Sequence, residues 1–106
     1  MDNFKTIYMI LRELESALDD PCVDESLINY RFLKISERRW ARYIEMMLDM
    51  ELIKGAAVKT YNDGGLAVIF TDVRITLKGL EYLTENSVMQ KIYKTMKNIK
   101  EAVPFI

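Results

Sequence analysis

The run Asn62-Asp63-Gly64-Gly65 constrains this chain more than any other feature. Glycine, asparagine and aspartate accept positive φ readily, so these four residues read as the tight turn of a β-hairpin. The stretch from Ile53 to Tyr61 reads as the outgoing strand. Leu66 to Phe70 is the returning one, with Leu66, Val68 and Phe70 on one face. Everything outside this hairpin follows helical spacing, so the chain must combine one two-stranded ribbon with helices.

Phe4, Ile7, Tyr8, Leu11, Leu14 and Leu18 recur at helical intervals and predict an amphipathic helix over about residues 3 to 18. Asp19-Asp20-Pro21 stops it, because proline lacks an amide donor and restricts the residue before it. A shorter helix is expected from about Asp24 to Phe32, with Leu27, Ile28 and Phe32 on its apolar side. Lys34-Ile35-Ser36 reads as a turn ending at an N-cap, with Ile35 placed to staple against position 40. The next helix, about Glu37 to Met50, would bury Trp40, Tyr43 or Ile44, Met47 and Leu48. After the hairpin, Thr76 can cap a helix over about Leu77 to Glu85 that turns Leu80 and Leu83 inward. Ser87 and Gln90 fit a capping box. They would open a last helix, about Val88 to Val103, with Met89, Ile92, Tyr93, Met96, Ile99 and Val103 as its apolar stripe and Pro104 at its end. Helix, helix, helix, hairpin, helix, helix is the order of an α+β winged helix-turn-helix with a two-stranded wing and extra C-terminal helices. The 106 residues are expected to form one domain, with the helix-turn-helix at about 24–50, the wing at about 53–70 and the C-terminal helices at about 77–103.

Several chemistries are excluded by absence. The chain has no histidine and a single cysteine, Cys22. Ser-His-Asp and Cys-His nucleophilic sites therefore cannot be built, nor can a histidine or four-thiolate zinc site. Cys22 reads as a half-buried loop residue in a reducing compartment. Gly64-Gly65 sits in a hairpin tip and lacks the lysine-threonine pair of a phosphate loop. The carboxylates Asp19, Asp20, Asp24 and Glu25 are not spaced as an acid/base pair or a calcium loop. No enzyme activity, cofactor or metal is expected. No apolar run approaches membrane-spanning length and no secretory signal is visible, so a cytoplasmic protein is expected.

The formal charge of −1 is unevenly spread. Residues 1–30 carry seven acids and two bases, whereas residues 31–59 carry seven bases and four acids. Residues 91–106 add four lysines against one glutamate. Two basic segments in a mildly acidic chain could form one phosphate-attracting face, or could be ordinary solvated helix faces. Lys91, Lys94, Lys97 and Lys100, three residues apart, drift around a helix and read as its solvated side.

From Ile35 to Ile53 the chain resembles the second half of a bacterial winged helix-turn-helix: Ser36 as cap, Trp40, Tyr43, Ile44 and Met47 as the apolar face, then Leu52-Ile53 leading into the wing. Ile75-Thr76-Leu77-Lys78-Gly79-Leu80-Glu81-Tyr82-Leu83 resembles the segment that opens the helix after many such wings. Thr84-Glu85-Asn86 and the run from Lys91 to Lys100 resemble the C-terminal region of the YjcQ-like family of bacteria and their phages. The resemblance covers about Phe4 to Ala102. It implies a winged-helix fold, frequent occurrence in phages or prophages, and no assigned catalytic residues. Two departures stand out. Glu51 occupies the position of the usual glycine, so the helix before it must end without the favoured left-handed residue. The wing holds only Lys54 and Lys59 as cations.

Two functions are compatible with these features. The first is a DNA-binding phage or prophage regulator that reads the major groove of double-stranded DNA with the helix after Ser36. Arg38 and Arg42 would share one face, Arg39 would flank them, and Lys54 and Lys59 would lie on the wing. This reading requires the three arginines to project from a helix free to enter a groove. It loses its basis if they are tied up within the chain. The second is a protein-interaction module, suggested by the cation-poor wing and the acidic N-terminal side. A homodimer through the first and last helices is an additional expectation, if their apolar stripes exceed what one core can use. Trp40 and most of the seven methionines read as core.

Overall fold

The computed structural model describes residues 3–86 together with Gln90, Lys91, Lys94 and Thr95. Its architecture is α+β. In chain order it contains α1 (Asn3–Ser16), a 3₁₀ turn (Glu25–Ile28), α2 (Tyr30–Leu33), α3 (Glu37–Asp49), β1 (Ile53–Thr60), β2 (Leu66–Ile75) and α4 (Leu77–Glu85). β1 and β2 form a two-stranded antiparallel sheet. Gln90, Lys91, Lys94 and Thr95 are helical, and Lys91 and Lys94 are exposed. The predicted capping serine Ser87, the stripe from Met89 to Val103, Lys97, Lys100 and Pro104 lie outside the described residues.

α1 supplies the centre of the core. Ile7, Tyr8, Ile10, Leu11 and Leu14 are buried on one side of it, and Trp40, Tyr43, Ile44 and Met47 of α3 belong to the same core cluster. Its apolar stripe is thus used inside its own chain, leaving Phe4 and Leu18 exposed at its two ends. The helix ends at Ser16, short of the expected Leu18. Arg74 of β2 fixes the segment beyond it, donating from Nη1 to the Ala17 carbonyl at 2.9 Å and from Nη2 to that of Pro21 at 2.8 Å. Cys22, expected to be half-buried, is exposed.

The expected helix over Asp24–Phe32 is two separate turns. Asp24 accepts a hydrogen bond from the Ser26 amide at 3.1 Å, and Asn29 accepts one from the Arg31 amide at 2.9 Å. Each short polar side chain caps a new start, so one continuous helix cannot run through Asn29. Ile28 is buried as expected, but Phe32 is exposed, and Leu33 enters the core instead. α2 closes on Lys34, which has φ 59° and donates to the Arg31 carbonyl, while the Ile35 amide reaches back to Tyr30. α3 closes the same way. Glu51 adopts φ 62°, with its amide on the Leu48 carbonyl and the Leu52 amide on that of Met47. The expectation that this end would do without a left-handed residue is therefore overturned: Glu51 takes that conformation despite its side chain.

β2 is five residues longer than the alternation predicts. The register runs Thr60↔Leu66 to Ala56↔Phe70, then slips at Gly55 and resumes at Lys54↔Arg74. A β-bulge here changes the parity of the strand. Val68 and Phe70 pack against the core before it, and Val73 and Ile75 are buried after it. Gly55 has φ +78°, and a Cβ there would stand 2.0 Å from the Asp72 carbonyl oxygen, so only glycine fits.

The hairpin is tied to α4 at its base. The Thr76 amide donates to the Leu52 carbonyl at 3.0 Å, and the Thr76 hydroxyl donates to that of Glu51 at 2.5 Å. The Thr76 hydroxyl oxygen also accepts from the Gly79 amide at 3.1 Å, capping α4. Gly79 lies so close that a Cβ would meet the Leu52 carbonyl oxygen at 2.4 Å. The Thr76-to-Leu80 segment thus closes the hairpin onto the end of α3.

Candidate functional site

α3 starts at Ser36, whose hydroxyl accepts from the Arg39 amide at 3.1 Å. Its buried face is set by Trp40, Ala41, Tyr43, Ile44 and Met47. The Trp40 indole donates to the Ile28 carbonyl at 2.7 Å and meets Phe70 of β2 edge-on at 5.9 Å, which fixes the rotation of the helix between the 3₁₀ turn and the hairpin. That rotation leaves Arg38, Arg39, Arg42 and Met46 exposed.

All three arginines nevertheless have partners inside the chain. Arg38 donates to the Gly64 carbonyl at 2.8 Å, which joins the first turn of α3 to the tip of the hairpin. Arg39 donates to the Asn3 side-chain oxygen at 3.0 Å and lies 3.4 Å from the Tyr43 hydroxyl. Tyr43 also donates to Asn3. Arg42 pairs with Glu45 at 3.1 Å on the exposed surface. The condition that these guanidinium groups stand free is not met, although each engages through one nitrogen and keeps further donors.

Lys54 and Lys59 do not join them. Lys59 alternates with Val58, which packs on the core, so it stands on the opposite face of the ribbon. Lys54 lies at the base of the hairpin opposite Arg74. α3 itself carries Glu37, Glu45 and Asp49 beside its three arginines and is formally neutral. At its far end, Glu51 and Lys78 pair at 2.6 Å. The hydrogen bond from Lys78, and then its charge, hold the Glu51 carboxyl below its ordinary pKa; the same contacts with Glu51 hold Lys78 above its own.

What the structure does bring together is a groove of about 500 Å³ between the first turns of α1 and the outer side of α3. Phe4, Ile7, Tyr43 and Met46 give it an apolar lining; Asn3, Ser36 and the three arginines give it a polar one. Phe4 is 59% exposed and Met46 50% exposed, so two large apolar side chains keep about half of their surface in solvent beside the arginines. Sequence reasoning assigned Phe4 to the core stripe and missed Asn3 altogether. Asn3 and Arg39 are 36 residues apart, and no local pattern announces such a contact.

Among the described residues no group of acidic or cysteine side chains is placed to hold a metal ion. No helix among them is long and apolar enough to cross a membrane. No curated protein and no solved structure matches the chain. A match to the family described as YjcQ protein spans residues 8–102, from within α1 to beyond α4. The chain belongs to the YjcQ family.

Proposed function

We propose that this chain is a winged-helix binding domain without catalytic chemistry, and that it engages a protein partner through the outer side of α3 and the first turn of α1. One observation carries this reading: exposed Phe4 and Met46 sit beside three arginines in a single groove. Large apolar side chains next to arginine are the usual anchors of protein interfaces. Double-stranded DNA offers little apolar surface for Phe4 or Met46 to bury against.

A second reading, DNA binding by a phage or prophage regulator, rests on the donors that the three arginines keep beyond their internal partners and on the Arg38 bond to Gly64. That contact would make the reading helix and the tip of the wing one surface. The two readings separate in paired assays. A photo-crosslinking residue at Met46 is expected to capture protein from cells, whereas one at Ile69, on the outer face of the ribbon, is not. Under the DNA reading, low-salt binding to duplex DNA falls in Arg38→Ala and Arg42→Ala, and the Met46 probe captures no protein.

A further inference from the structure

We infer that the α1–α3 groove takes an acidic amphipathic helix of the partner protein. This rests on the protein-partner reading and names the chemistry of the occupant. The lining runs along α3 from Ser36 to Met46. At about 1.5 Å per residue that is roughly 15 Å, the length of an approaching helix of about ten residues. An extended segment of that length has four or five residues and alternates its side chains, which leaves two or three to enter the groove. A helix can place anchors at i, i+4 and i+7 on one face, so it can present several apolar side chains at once to the lining of Phe4, Ile7 and Met46. Sheet-type recognition would need an open backbone edge, and neither wall of this groove is a strand.

The sign of the occupant follows from the walls. Among the described residues, the groove is lined by three guanidinium groups and no carboxylate. Arg39 is held through Nη1 by the linked pair Asn3 and Tyr43, so its position is set before anything binds. Arg38 is likewise fixed by the hairpin tip. Arg42 differs, because its partner Glu45 is a solvent-exposed neighbour three residues along the same helix. Such a pair is worth little and exchanges readily. An incoming carboxylate displaces Glu45 from Arg42, so Glu45 is a competitor for the site. Arg38 and Arg42 are one turn apart, and carboxylates at i and i+4 of the bound helix match that interval.

The test uses the full chain and three fluorescent helix-forming peptides of about ten to fourteen residues. One has leucines on one face flanked by glutamates, one has the same leucines flanked by lysines, and one is a scramble of the first. Anisotropy titrations are expected to rank the acidic peptide first. Arg42→Glu should weaken it by about tenfold, as loss of a contact plus like-charge repulsion. Glu45→Gln should strengthen it, and Met46→Asp should abolish it. The Arg38→Glu/Arg42→Glu double variant should reverse the preference towards the basic peptide. Arg38, Arg42 and Met46 are exposed and Glu45 is partly so, and circular dichroism checks that the variants fold. Equal binding of acidic and basic peptides, or indifference to Arg42→Glu and Met46→Asp, overturns the inference. Crosslinking to a protein from Met46 together with that outcome leaves the partner reading standing and the acidic-helix occupant refuted. No crosslink, with duplex DNA bound through Arg38 and Arg42, removes both.

Discussion

Replacing Gly79 by alanine sets two effects of opposite sign against each other, and the geometry decides between them. Alanine is the better helix former, worth about 1 kcal/mol inside a helix. At this position, however, the new methyl carbon would lie 2.4 Å from the Leu52 carbonyl oxygen and 2.5 Å from Cγ1 of Ile75. Ile75 is a side chain and has some room to turn. The Leu52 carbonyl is backbone, and it already accepts from the Thr76 amide. Moving α4 away would stretch that bond and the one from the Thr76 hydroxyl to Glu51. Overpacking of this kind costs about 1–3 kcal/mol, and an unyielding obstacle puts it at the upper end. The net expectation is a loss of ~1–2 kcal/mol, or roughly 5–15 °C in Tm for a domain of this size. Urea denaturation followed by circular dichroism should show a lower midpoint at an unchanged slope. A Gly79→Ala protein as stable as the parent would refute the close approach of α4 to the base of the hairpin.

Trp40→Phe should destabilise the chain by about 2–3 kcal/mol, because it leaves the Ile28 carbonyl without its donor and opens space beside Phe70; urea melts read this. Ser36→Ala should cost ~1 kcal/mol and Ser36→Gly only a few tenths, a contrast that isolates the cap of α3 in the same assay. The Glu51 carboxyl should titrate by NMR below the ordinary glutamate range, and Lys78→Met should return it upward. The sign follows from linkage: a depressed folded-state pKa gives a contribution present above the unfolded value and lost as pH falls through the folded one. A Glu51 titration unchanged by Lys78→Met would show that the pair does not form in solution.

Much of the fold was legible because its signals are local. Ser36 and Thr76 announce α3 and α4 as caps, the helical spacing of Ile7, Leu11 and Leu14 announces α1, and the Asn62-to-Gly65 run announces the hairpin turn. What was not legible depended on contacts between distant residues or on unusual backbone. The left-handed positions at Lys34 and Glu51 lack the glycine that would have marked them. β2 was read as ending at Phe70 because the bulge at Gly55 breaks the alternation there. Asp24 and Asn29 did carry a readable signal. Both are capping residues five apart, and weighing them as such would have split the second helix into the two turns observed. At the candidate site, the helical face bearing Arg38, Arg39 and Arg42 was legible from spacing. The Arg42 partner Glu45, three residues along the same helix, lies within that local reach, whereas Gly64 and Asn3 are distant in sequence and were not legible. The groove needs α1 and α3 side by side, which periodicity alone does not specify.

The central claim is that binding occurs at the outer side of α3 against the first turn of α1. Methyl NMR of methionine-labelled protein tests it directly, because Met46 lines the groove while Met47, its neighbour in sequence, is buried in the core. Titration with the acidic amphipathic peptide should shift the Met46 methyl resonance strongly and Met47 little. A Met46 resonance that stays fixed at peptide concentrations where anisotropy shows binding would contradict the account.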